Sequence, residues 1–346
     1  MYKKILVPLD GSALSSAVLP FVRAVAKCSG ASAVLLRIIP EIGMRVGGVA
    51  ATAQPMEQSS LFFPPEVAEY ELAARAYLDG VAAELSAAGI AVQTRIATGA
   101  VAEGILDAAD EEGADLIAMS THGRGGLSRF LLGSIASRIV HYAKVPVLLV
   151  RVTAEEKLPA EFVYRKILVP LDGSEFSRAV LSHVRNVAIC TGATVTLLQA
   201  VPEPELDASE AHWILTFGGP ASIGEVPGEG GLRPGMAPPS RREWAESIRA
   251  ELARRVEHAM EAAQANLNAA AADLKASGIP VETMIQAGQP AETILDVAKS
   301  NDVDMIAMTT HGRSGIQRFL LGSVADRVVR HAHVPVLLVR SEFDNQ

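Results

Sequence analysis

Two fourteen-residue segments combine residue types that can hold an anion. The first, THGRGGLSRFLLGS, covers 121–134, and the second, THGRSGIQRFLLGS, covers 310–323. Their glycines let the backbone approach a ligand closely, and a helix that starts at the closing Gly-Ser would offer free N–H groups and the cap hydroxyl of the serine to a phosphate. Arginines such as Arg124 and Arg129 could add charge-assisted hydrogen bonds. A single copy fits an ordinary strand-to-helix turn equally well, but the repetition favours a ligand.

A second group of polar residues follows the first predicted strand of each half. In the sequence PLDGS, Pro8 fixes the backbone, Asp10 presents a carboxylate and Ser12 opens a helix. Ligands of doubly wound sheets bind beyond the carboxyl ends of the strands, so we expect this exit and that of the fourth strand to face each other. An aspartate before Gly-Ser also commonly caps a turn, and that alternative stays open.

These elements recur because the chain is a tandem repeat. KILVPLDGS begins at Lys4 and again at Lys166, 162 positions later, whereas Gly322 follows Gly133 by 189 positions, so the second half is 27 residues longer. The excess is a Gly/Pro-rich insertion, about 202–240, predicted to be a disordered loop or a lid. The predicted organisation is copy one at 1–151, a linker at 152–163 and copy two at 164–341.

Each copy alternates strands with helices. Apolar runs such as SAVLLRIIP and VPVLLVR predict buried strands, and amphipathic stretches predict helices between them, among them Ser12 to about Lys27 and, in copy two, about 242–276. This alternation predicts an α/β fold: two tandem Rossmann-like domains, each with a five-stranded, mainly parallel sheet and helices on both faces.

The composition excludes several classes. A formal net charge of −8 disfavours a nonspecific nucleic-acid binder, and no apolar run is long enough for a membrane span, so we expect a soluble, cytoplasmic protein without nucleic-acid or membrane partners. Cys28 and Cys190 lie at equivalent positions in predicted helices. We interpret them as two buried thiols, since no CxxC motif or set of metal ligands accompanies them.

With these motifs the chain resembles two universal stress protein domains fused in tandem. The nucleotide-binding branch of that family carries G-x2-G-x9-G-[S/T] after the fourth strand, and Gly123 to Gly133-Ser134 fits the pattern, as does the corresponding stretch of copy two. The first glycine of the motif is replaced by Ser120 in copy one and Thr309 in copy two. If that position needs a positive φ, the β-branched threonine would be more strained.

The resemblance implies a site in each copy for ATP, ADP or AMP, with Mg²⁺ as an optional companion. Asp10 would accept a hydrogen bond from the adenine amino group, the backbone of Ile38 or Ala200 would meet the ring edge, and the phosphates would lie on the glycine loop. The implied binding residues of copy one are Pro8, Asp10, Ser12, Ile38, Ser120, His122, Gly123, Arg124, Gly126, Gly133 and Ser134. Those of copy two are Pro170, Asp172, Ser174, Ala200, Thr309, His311, Gly312, Arg313, Gly315, Gly322 and Ser323.

The predicted function is that of a nucleotide-binding stress-response regulator without catalysis. His122 and His311 could act as general bases, but no orienting carboxylate, nucleophile motif or phosphate-binding GxxxxGK[ST] accompanies them. The alternatives are a weak metal-dependent ATPase and a dimerising protein that has lost its nucleotide. The family also implies antiparallel pairing of the final strands, here within one chain as a pseudo-two-fold dimer centred on Val147, Leu149, Val336 and Leu338 and able to form chain dimers.

Overall fold

The described part of the chain consists of helices and strands in two similar series. The computed structural model describes residues 1–40, 65–121, 132–151, 161–202, 241–310 and 321–340. Copy one contains β1 (Lys4–Pro8), α1 (Ala13–Ser16), α2 (Leu19–Ser29), β2 (Ser32–Ile39), α3 (Pro65–Ala87), β3 (Val92–Thr98), α4 (Val101–Glu112), β4 (Leu116–Ser120), α5 (Ser134–Tyr142) and β5 (Val147–Val150). Copy two contains β6 (Lys166–Pro170), α6 (Glu175–Arg178), α7 (Leu181–Thr191), β7 (Thr194–Val201), α8 (Arg241–Lys275), β8 (Val281–Ala287), α9 (Pro290–Ser300), β9 (Met305–Thr309), α10 (Ser323–His331) and β10 (Val336–Val339).

All ten of these strands belong to one sheet, in the order β3-β2-β1-β4-β5-β10-β9-β6-β7-β8. Pairing is parallel within each copy. Each copy therefore has the order 3-2-1-4-5, with the direction of winding reversing between its first and fourth strands. This confirms the predicted α/β fold.

The two copies meet where β5 and β10 pair antiparallel at the centre of the sheet. The paired residues are Val147 with Leu338, Leu148 with Leu337 and Leu149 with Val336. None of the six is more than 3% exposed. The pairing confirms the predicted pseudo-two-fold dimer and leaves neither final strand as an open edge.

The hydrophobic core is likewise shared. Side chains alternate between the two faces of the sheet, so Leu148 and Leu337 lie in one layer and Leu149 and Leu338 in the other. Each layer also contains helix residues from both copies. The two copies thus bury their apolar surface together.

The helix predicted from Ser12 to about Lys27 is wrong, because it is broken into α1 and α2. Ala17 closes α1 with an N–H to Leu14 O bond of the i to i−3 type, and Pro20 lies at the start of α2. Copy two breaks at the same place with Ser182 in the proline position, so proline suits the break without being required for it.

The interpretation of the two cysteines as buried thiols is also wrong. Cys28 and Cys190 are partly exposed and are joined as a disulfide, with a Cα–Cα distance of 5.4 Å. They lie in the last turns of α2 and α7, which pack together across the pseudo-two-fold axis. A residue near such an axis faces its own counterpart, a relation that is invisible when each copy is considered alone.

Some predictions fall on residues that are not described. Most of the linker (152–160) and most of the Gly/Pro-rich insertion (203–240) lie outside the described ranges, and the domain boundaries stay predictions. In the part of the chain that the structure describes, no helix is both long enough and apolar enough to cross a membrane.

Candidate functional site

The exits of the first and fourth strands lie side by side in each copy. β1 and β4 are neighbours in the sheet, with Ile5 opposite Leu116, and β6 and β9 have the same relation in copy two. Because these strands are parallel, their carboxyl ends meet at one edge, at the point where the winding reverses. The described ends of the two sequence motifs are therefore brought together as expected.

The aspartate after the first strand is held in a tight turn. In copy one, Asp10 Oδ1 accepts the Ser12 N–H at 2.8 Å and the Ser12 hydroxyl at 2.5 Å. Ser12 Oγ in turn accepts the N–H of Ser15 at 3.1 Å and caps α1. Gly11 between them has φ +78°, a conformation that favours glycine. The turn-capping alternative is thus part of the structure, and it fixes the carboxylate at the strand exit.

Copy two builds the same turn with nearly the same distances. Asp172 Oδ1 accepts the Ser174 N–H at 2.9 Å and its hydroxyl at 2.6 Å, and Ser174 Oγ accepts the Ser177 N–H at 3.1 Å. Gly173 has φ +85°. Pro8 and Pro170 end the strands that lead into these turns.

The residues predicted to meet the adenine ring lie near the end of the second strand of each copy. Ile38 is 7% exposed, and its side chain packs so closely on α4 that a Cβ on Gly104 would lie 2.9 Å from Ile38 Cδ1. Ala200, the equivalent residue, is partly exposed. Their predicted backbone contact with adenine stays a prediction.

The glycine before α5 lies directly against the exit of β4. A Cβ on Gly133 would lie 2.9 Å from the carbonyl oxygen of Thr121, closer than side chains approach backbone. In copy two the Gly322 N–H donates to Thr310 O at 2.9 Å. Each buried threonine is fixed in turn by its own N–H, which donates at 3.0 Å to the carbonyl of Val150 or, in copy two, of Val339. Residues 121 and 133, and likewise 310 and 322, are therefore held together.

The helix starts differ in one detail from the expected cap hydroxyl. The N-cap residues are Gly133 and Gly322, which have no side chain to cap the helix, while Ser134 and Ser323 are the first helical residues and are exposed. At Gly133 the physical reason is the close contact with the Thr121 carbonyl, which admits only glycine at the cap position. The first N–H groups of each helix therefore donate no hydrogen bond to a side chain of the cap residue.

The departure from the family motif carries no backbone strain. Ser120 and Thr309 end β4 and β9 within the strands, and neither has a positive φ. Thr309 is 6% exposed and Ser120 is partly exposed. The conditional prediction of greater strain at Thr309 therefore does not apply.

Eight of the predicted site residues lie outside the described residues. They are His122, Gly123, Arg124, Gly126, His311, Gly312, Arg313 and Gly315.

Sequence reasoning missed a polar position on the strand beside the site. Arg37 Nη1 donates at 3.3 Å to the carbonyl of Leu9, the residue before Asp10. Copy two has Gln199 at this position, 5% exposed, and its Oε1 is buried without a hydrogen-bond partner among the described residues. A polar residue within an otherwise apolar strand was the available signal.

Fold and site together define a tandem, doubly wound α/β protein with a candidate ligand site at the switch point of each half. Comparison with known proteins identifies a family within this class. The profile of the Universal stress protein family matches residues 1–151 and 237–340. The chain therefore belongs to the universal stress protein family.

Individual relatives agree with this assignment. A universal stress protein of Mycolicibacterium smegmatis is 28% identical over 256 residues, which are 73% of this chain and 70% of the relative. One from Methanocaldococcus jannaschii is 31% identical over 180 residues, 52% of this chain and 84% of the relative. The crystal structure of an Archaeoglobus fulgidus universal stress protein shares the fold, with a TM-score of 0.60 at 20% identity, covering 98% of this chain and 96% of that one.

Proposed function

We propose that this chain binds adenine nucleotides, one in each copy, and acts as a stress-response regulator without catalysis. The observation that carries the proposal is the duplicated junction of strand exit and helix start. In both copies a glycine lies against the carbonyl after the fourth strand, and a nine-residue helix begins there without a side-chain cap. Uncapped N–H groups at a helix start suit the phosphates of a nucleotide.

The neighbouring strand supports the adenine end of the proposal. Asp10 and Asp172 are held at the adjacent exit by matching turns, so a hydrogen-bond acceptor lies at the same place in both copies. The nucleotide would be held by these carboxylates, by the backbone of Ile38 and Ala200, and by the amides that follow Gly133 and its counterpart.

The way the carboxylates are used supports the proposed absence of catalysis. Oδ1 of Asp10 accepts two hydrogen bonds from Ser12, so this oxygen is engaged in holding the turn.

Mass spectrometry and calorimetry test the proposal. Nucleotide released from freshly purified, heat-denatured protein should be adenine nucleotide, and titration of nucleotide-free protein with ATP, ADP and AMP should give two sites. Gly133→Ala should leave only the copy-two site, because its Cβ would displace the junction from Thr121. Gly80→Ala is the control, since a Cβ at this helical glycine meets nothing within 4 Å.

The weak ATPase is the competing function. Phosphate release in the presence of Mg²⁺ should stay at the buffer background. Release that exceeds this background and falls in Gly133→Ala, which keeps only the copy-two site, would overturn the non-catalytic part of the proposal. Absence of any bound or titratable nucleotide would overturn the binding itself and favour a dimerising protein without ligand.

A further inference from the structure

One histidine of copy one contacts the candidate site of copy two. His141 lies in the last turn of α5, and its Nε2 accepts the N–H of Leu321 at 3.3 Å. Leu321 directly precedes Gly322, whose own N–H donates to Thr310 O. Two successive amides at this helix start are thus fixed, one by the copy's own strand exit and the other from across the pseudo-two-fold axis.

The hydrogen bonds of His141 assign its two ring nitrogens different roles. Its Nδ1 lies 2.5 Å from the carbonyl oxygen of Ser137, which can only accept, so Nδ1 carries the proton. The Leu321 N–H can only donate, so Nε2 carries the lone pair. Arg340 of copy two also donates to the His141 carbonyl, at 3.4 Å. The imidazole is therefore oriented from both ends.

Copy two has no equivalent residue that could do the same for copy one. The position matching His141 is Arg330, whose guanidinium donates to both carboxylate oxygens of Asp326 at 2.7 Å. Hydrogen bonding to Asp326 raises the pKa of Arg330. A guanidinium has no acceptor atom, so Arg330 cannot accept the N–H of Leu132, the counterpart of Leu321.

We infer that His141 is a positioning residue for the phosphate end of the copy-two site, so that this site is completed across the interface and the copy-one site is not. The inference rests on the proposed nucleotide binding for its ligand. The helix that carries His141 in its last turn begins at Gly133-Ser134, the junction of the copy-one site. One nine-residue helix, about 13 Å long, therefore connects the two sites.

Amide hydrogen exchange tests the positioning without nucleotide. His141→Leu should increase exchange at Leu321, while His141→Gln, which keeps an acceptor, should preserve protection. Exchange at Leu132 in copy one should stay unchanged in both variants and serves as the internal control. Equal protection of Leu321 in wild type and His141→Leu, or failure of His141→Gln to retain it, would overturn the inference.

ATP titration then tests the consequence for binding. In a Gly133→Ala background, which isolates the copy-two site, His141→Leu should weaken binding roughly five- to tenfold, the effect of one net hydrogen bond, and His141→Gln should restore it. Unchanged affinity would overturn the inference while nucleotide binding stands. If the wild type binds no nucleotide at all, the proposed function fails, and the exchange of Leu321 alone decides whether His141 positions this helix start.

Discussion

The two copies agree at the strand exits and differ where they touch each other. The turns at Asp10 and Asp172 have the same hydrogen bonds, with corresponding distances that agree within 0.1 Å. The interface is less symmetric, because Tyr2 and Tyr164 are equivalent residues in different surroundings. The comparison shows that the turn at the strand exit has the same geometry in both copies, whereas the contacts between the copies differ.

The tyrosines illustrate this divergence. The Tyr2 hydroxyl lies 3.2 Å from Nδ1 of His183, and the two rings stack at a centroid distance of 6.0 Å. At the position equivalent to His183, copy one has Phe21, which offers no hydrogen-bonding atom. The Tyr164 hydroxyl is accordingly buried without a partner among the described residues, and Phe162 packs edge-on against its ring.

The largest effect is expected from charge at the centre of the sheet. Leu149→Lys and Leu338→Lys together should lower the free energy of unfolding by more than about 4–5 kcal/mol, because both side chains are 1% exposed in the layer that the copies share. Urea denaturation measures the loss, and small-angle scattering of the remaining folded protein should show a larger radius. An unchanged radius would contradict strand pairing, and Gln93→Lys on the exposed edge strand β3 is the control for added charge.

Removal of the disulfide should have the next largest effect. Cys28→Ser with Cys190→Ser should cost about 2–4 kcal/mol, because the bond restricts the unfolded chain across a separation of 162 residues. Dithiothreitol should destabilise the wild type by a similar amount and leave the double variant unchanged. Two titratable thiols in unreduced, denatured protein would show that the bond is absent.

The junction glycine of copy one offers a third test. Gly133→Ala should cost about 1–3 kcal/mol, since its Cβ would lie 2.9 Å from a backbone oxygen that is itself hydrogen-bonded. Gly80→Ala, within α3, should instead stabilise by about 0.5–1 kcal/mol. Differential scanning calorimetry compares the two, and equal shifts would remove the steric argument for the junction.

The smallest effect separates the two tyrosines. Tyr2→Phe should cost about 1 kcal/mol through loss of the His183 bond, whereas Tyr164→Phe should be neutral or stabilising because it removes a buried hydroxyl without a partner. Chemical denaturation at neutral pH measures both variants. A larger loss for Tyr164→Phe than for Tyr2→Phe would reverse the proposed asymmetry.

The same two tyrosines make the stability of the fold depend on pH in the alkaline range. Burial raises the pKa of both tyrosines above that of an exposed phenol, so each is protonated in the folded state at pH values where the unfolded chain begins to ionise. Their contribution to stability is therefore complete below the unfolded pKa of about 10 and is lost as the pH rises above it. Replacing both by phenylalanine should flatten stability against pH in that alkaline range.

Much of the fold could be predicted because its signals are local. Continuous apolar runs marked the strands, and the doubled KILVPLDGS fixed the repeat. The missed features depend on atoms that the sequence does not place together. Cys28 and Cys190 meet only because an axis relates their helices, and His141 reaches Leu321 from 180 residues away. The cap at Gly133 was misassigned because the contact with Thr121 O depends on backbone geometry.

Antiparallel pairing of β5 with β10 inside one chain makes assembly independent of concentration. Two separate chains that share such a strand pair come apart on dilution, whereas here the partner is always tethered nearby. In a dimer of identical chains, each substitution also appears on both sides of the axis. A fused pair can change one side alone, and His183 opposite Tyr2, with Phe21 in the mirror position, is such a difference.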